Sequence, residues 1–79
     1  MAIKIEAASR LLAYANKIGK AYLVLNKSNN PLAYDGKTFE LSSTYTVFSG
    51  QSVAKKAIDQ HGDPNMRIGI LTGSFEPMD

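Results

Sequence analysis

A chain of 79 residues supplies one hydrophobic core and no second domain, and without cysteine it has neither disulfides nor thiolate-bound metal to hold it, which leaves good packing or self-association. Its 44% hydrophobic content is that of a globular domain, and the absence of an apolar run near the ~20 residues that span a bilayer, or of a leader-like apolar opening, argues for a cytoplasmic protein. The formal charge of +2 is small for a nucleic-acid binder, but it is uneven: residues 1–37 hold six basic against two acidic residues and residues 38–79 three against five, a pattern that steers an acidic partner toward the first half or simply solvates a helix face.

From about Ile5 to Ile18 the apolar residues Ile5, Ala8, Leu11, Leu12, Ala15 and Ile18 recur at helical spacing. Gly19 stops that helix, and Lys17 and Lys20 suit the negative end of its dipole. With the whole stripe buried, Leu12→Ala would cost about 2–5 kcal/mol. The start is ambiguous, since Lys4 breaks the stripe and Ile3 and Ile5 alternate as in a short strand. Ala21–Leu25 is an apolar run too short for a helix and reads as a strand. Asn26–Pro31 is a polar turn cluster. Leu32–Tyr34 then meets Asp35-Gly36, which suits a two-residue type I′ hairpin with Lys37–Leu41 as the returning strand. Thr44–Phe48 alternates Tyr45 and Val47 against Thr44, Thr46 and Phe48, again as a strand.

Ser49 suits the N-cap of a second helix, in which Val53, Ala54, Ala57 and Ile58 form the apolar stripe and Gly62 and Pro64 mark the end. Met66–Thr72 reads as the last strand, with Ile68 and Ile70 on one side and Leu71 on the other, and residues 73–79 as a loosely held tail. The expected fold is α+β: two helices packed on one face of an antiparallel sheet of four to five strands, in the order α-β-β-β-β-α-β, with the other sheet face open.

Groups that react must converge in a pocket, and the material for that is thin. His61 is the only histidine and suits the last turn of the second helix; with Asp59 and Asp63 it makes no specific metal pattern, and neither a metal nor a cofactor is expected. Phe48-Ser49-Gly50-Gln51-Ser52 joins a strand to a helix. There Ser49, Gly50 and Ser52, with Lys55 and Lys56 beyond, suit an anion held by free helix amides, although ordinary capping explains them equally. Gly69-Ile70-Leu71-Thr72-Gly73-Ser74 lacks the glycine spacing of a dinucleotide loop. Tyr22, Tyr34 and Tyr45, bordered by Lys17, Lys20 and Lys37, suit an aromatic sheet face that stacks on a partner. An exposed strand edge offers a further surface, for a copy of the chain or another strand.

In length, in lacking cysteine and in its helix, meander, helix, strand layout, with Phe48-Ser49-Gly50-Gln51-Ser52-Val53-Ala54-Lys55-Lys56-Ala57-Ile58 at its centre, the chain resembles the small accessory proteins that phages encode to block host machinery, anti-CRISPR proteins among them. The resemblance implies an inhibitor or adaptor acting in a host cytoplasm and assigns no residue a role. The expectation is a non-enzymatic protein-binding module, as a homodimer or with another protein. The alternative is a weak nucleic-acid or anion binder using Lys17, Lys20, Lys37, Lys55 and Lys56.

Overall fold

The computed structural model describes residues 2–72 and 75–78. In chain order these form β1 (Ala2–Glu6), α1 (Ala8–Ile18), β2 (Ala21–Leu25), β3 (Ala33–Tyr34), β4 (Phe39–Glu40), β5 (Thr44–Phe48), α2 (Gln51–His61), β6 (Arg67–Leu71) and β7 (Phe75–Met78). One sheet has the order β1-β5-β2-β6-β7 with all neighbours antiparallel, and β3 and β4 form a separate hairpin. The class is α+β, with both helices packed against a small antiparallel sheet, as the sequence indicates.

The helices lie on opposite faces rather than sharing one. Leu11 and Ala15 of α1 cluster with Ala21, Leu23 and Leu25 of β2, Val47 of β5 and Leu71 of β6. Ala54 and Ala57 of α2 cluster with Val24, Phe48 and Ile68, the alternate residues of the same three strands. Topology supplies the reason. The connections β1-α1-β2 and β5-α2-β6 each skip one strand and step the same way across the sheet, but β1 and β5 run in opposite directions. Right-handed crossovers that step the same way from antiparallel strands place their helices on opposite sides.

The chain opens with β1, ahead of the first helix. Its residues pair with β5 without a bulge, from Ala2 opposite Phe48 to Glu6 opposite Thr44. Ile3 and Ile5 stand opposite Val47 and Tyr45 on the α1 side, so Lys4 and Glu6 take the other face, a period-two pattern that a helix would scatter. At Ala7 the chain turns from strand to helix with φ 71°, a conformation costly for any side chain, and the Ala7 carbonyl accepts the first helical bond from Leu11. Helix α1 therefore starts at Ala8 rather than near Ile5. It buries Leu11 and Ala15 and leaves Leu12 and Ile18 exposed, which narrows the expected stripe.

Between β2 and β5 the chain folds into an arm on the α2 side. The Asn26 side-chain oxygen accepts bonds from the Ser28 and Asn30 amides, closing a tight loop. The Leu32 amide then donates to the Val24 carbonyl at 2.9 Å, on the β2 edge away from β6. Buried Leu32, half-buried Tyr34 and Phe39 join the α2 cluster, with the Tyr34 and Phe39 rings stacked at 4.4 Å. Thr46, the polar residue among those found buried, anchors this arm: its hydroxyl oxygen accepts from the Tyr34 amide at 2.9 Å.

The turn of this hairpin differs from the expected Asp35-Gly36 pair. Asp35 bonds to Thr38 through its amide, so Gly36 and Lys37 occupy the turn, with Gly36 at φ 98°. The Asp35 carboxylate accepts from the Thr38 and Lys37 amides at 2.8 Å each. These bonds, Thr38 first, hold its pKa below the ordinary carboxylate value, with a smaller contribution from the Lys4 charge. The returning strand shrinks to Phe39–Glu40 because Asp35 has taken the amides of Lys37 and Thr38.

Helix α2 begins at Gln51 with Gly50 as its N-cap, one residue later than the expected cap at Ser49, and glycine has no side chain with which to cap it. Strand β6 runs beside all of β2, Ala21 opposite Leu71 through Leu25 opposite Arg67. Gly69 stands opposite Leu23, and a Cβ there would fall 2.6 Å from a Leu25 methyl. Of the residues read as a tail, Phe75–Met78 pair with β6 as β7, while 73, 74 and 79 lie outside the described residues.

Candidate functional site

The two sheet faces are unequally covered. Strands ~4.8 Å apart make a five-stranded sheet about 19 Å across, whereas one helix with its side chains is ~10 Å wide. On one face α2 shares the work with the β3–β4 arm. On the other, α1 works alone among the described residues, and its margins show. Ile3 of β1 is 42% exposed and Ile18 of α1 47%. With half-buried Tyr14 they line a cleft of about 340 Å³ that Val47, Lys20 and Ser49 also border. Lys17, in the last turn of α1, is also exposed.

This geometry rearranges the residues singled out from the sequence. Tyr22 and Tyr34 lie in the α2 cluster and Tyr45 in the α1 cluster, so no single aromatic platform forms and the expected open face is absent. The reason is the arm: Tyr34 rides on it across the face, reaching the rings of Phe39, Phe48 at 5.8 Å and His61 at 5.9 Å. Lys20 remains beside the α1 cleft, whereas Lys37 sits in the hairpin turn. Lys55 and Lys56 are exposed on α2, and Gly50 and exposed Ser52 flank its first residue. Ser49 belongs to the α1 cleft, which joins one residue of the expected anion set to one of the expected basic border.

His61 is exposed at the end of α2 and meets the Tyr34 ring. Among the described residues no three His, Cys, Asp or Glu side chains come together as metal ligands do. Nor is any helix there long and apolar enough to cross a membrane. Among the buried side-chain nitrogens and oxygens described, each has a hydrogen-bond partner.

Ile3 and Ile18 are absent from the sequence-derived set. Both fit the buried pattern, Ile18 as the last member of the helical stripe and Ile3 as an alternating strand residue. What exposes them is position: Ile18 ends the helix and Ile3 stands on an edge strand. Compared with protein-family models, curated proteins and solved structures, the chain matches none.

Proposed function

We propose that this chain is a small protein-binding module that acts by holding a partner, not by catalysis, and that it does so on the α1 side of its sheet. The observation behind this is the cleft between α1 and β1, where exposed Ile3 and Ile18 and half-buried Tyr14 stand beside Lys20. An apolar centre with an aromatic residue and a charged rim is the composition of a protein interface. Catalysis is the weaker reading because His61, the sole imidazole, is exposed at the end of α2 against the Tyr34 ring, and among the described residues no three His, Cys, Asp or Glu side chains gather. Nucleic-acid binding is also weaker: Lys17 and Lys20 belong to the end of α1, Lys37 to the arm, and Lys55 and Lys56 to α2, so these five do not trace one stripe. The role of inhibitor or adaptor in a host cytoplasm is drawn from the resemblance in size and layout to phage accessory proteins.

The test is retention of a protein from an extract of the producing cell on the immobilised chain. Ile18→Lys is expected to lower that retention about tenfold or more, as loss of a central apolar contact does. Retention unchanged by Ile18→Lys, or heparin binding that tracks the five lysines instead, contradicts the reading.

A further inference from the structure

The sheet ends at β1 on one side and β7 on the other. Strand β7 contains Pro77, which has no amide hydrogen to offer a neighbour, whereas β1 has neither proline nor bulge and presents an exposed isoleucine. An edge strand with neither proline nor bulge keeps its backbone groups able to pair with another strand, and the charges on β1 say which strand they would accept. Its side chains divide by face, Ile3 and Ile5 on one and Lys4 and Glu6 on the other. A twofold antiparallel pairing of β1 with itself keeps the faces together only when it is centred on a residue. Centring on Lys4 or Glu6 sets like charges directly opposite, which destabilises a pair. Centring on Ile5 sets Lys4 opposite Glu6 twice and Ile5 opposite Ile5.

Resting on the protein-binding reading, we propose that one partner is a second copy of this chain, joined through antiparallel β1–β1 pairing centred on Ile5 to make a continuous ten-stranded sheet. The charge pattern of Lys4 and Glu6 is self-complementary in that register alone. Both side chains are exposed, and a shallow depression of about 500 Å³ lined by Lys4, Ile5, Glu6, Arg10 and Thr44 lies along the strand. Arg10 lines the same depression as Lys4 and Glu6. On the α1 side the cleft with Ile3 adjoins the same seam. A chain this small and free of cysteine gains core by such pairing.

Sedimentation equilibrium of the full chain tests this. The parent is expected near twice 8.6 kDa. Lys4→Glu and Glu6→Lys each place like charges across the seam and are expected to weaken self-association about tenfold, while an equimolar mixture of the two, acidic pair against basic pair, restores the dimer. A parent that stays at the mass of one chain at every concentration, single variants that associate as well as the parent, or a mixture no tighter than its components would overturn the pairing. A monomeric parent whose capture of another protein still depends on Ile18 overturns the pairing and leaves the protein-binding reading standing. Rescue in the mixture, with no Ile18-dependent capture, supports the pairing and removes the other partner.

Discussion

Leu11 and Leu12 are neighbours on α1, yet Leu11 is 2% exposed and Leu12 42%. Successive helical residues point ~100° apart, and a helix lying on a sheet buries only the arc facing it. That arc is centred on Leu11 and Ala15, with Tyr14 on one flank and Leu12 on the other. Leu11→Ala is therefore expected to cost about 2–5 kcal/mol in urea denaturation, and Leu12→Ala less than about 1 kcal/mol. Equal losses at the two positions would mean that α1 is rolled about its axis. The spacing of apolar residues located the body and end of this helix but neither its start nor its arc, because six apolar residues were available and the contact uses fewer. Similarly, Lys4 and Glu6 alternating with Ile3 and Ile5 are the signature of a strand, visible in the sequence but equally readable as the ragged start of a helix.

At the scale of elements, β2 held the information that the expected architecture did not use. Ala21-Tyr22-Leu23-Val24-Leu25 is apolar throughout and does not alternate, which is the pattern of a strand covered on both faces. Leu23 and Val24 are both fully buried, one under each helix. Read that way, the run places α1 and α2 on opposite sides. The arm was less legible, since β3 and β4 are two residues each and depend on side-chain bonds from Asn26, Asp35 and Thr46. Thr46 is the testable joint. Thr46→Val keeps its shape but removes the hydroxyl that accepts from the Tyr34 amide, an expected loss of about 1–3 kcal/mol. Hydrogen exchange at the Tyr34 amide is expected to accelerate with it. Unchanged stability and exchange would show that the arm is held by the Tyr34 and Phe39 rings alone.

For the molecule as a whole, the two crossovers create one face shared by a helix and an arm and another left to a single helix. Local pattern located both helices and the strands β2, β5 and β6, whereas β1 was one of two readings of the first residues and β7 falls among residues read as a tail. The proposed binding surface was not legible, because it consists of apolar residues that differ from core residues only in standing at an edge or an end. Tyr22, Tyr34 and Tyr45 looked like a platform for the converse reason: strand alternation and the arm distribute them over two faces. Amide hydrogen exchange of the chain, free and in the bound state, distinguishes the two sides directly. Binding is expected to slow exchange in Ala2–Glu6 and over residues 14–20. Slowing confined to α2 and the β3–β4 arm, with β1 and the end of α1 unchanged, would contradict a binding surface on the α1 side.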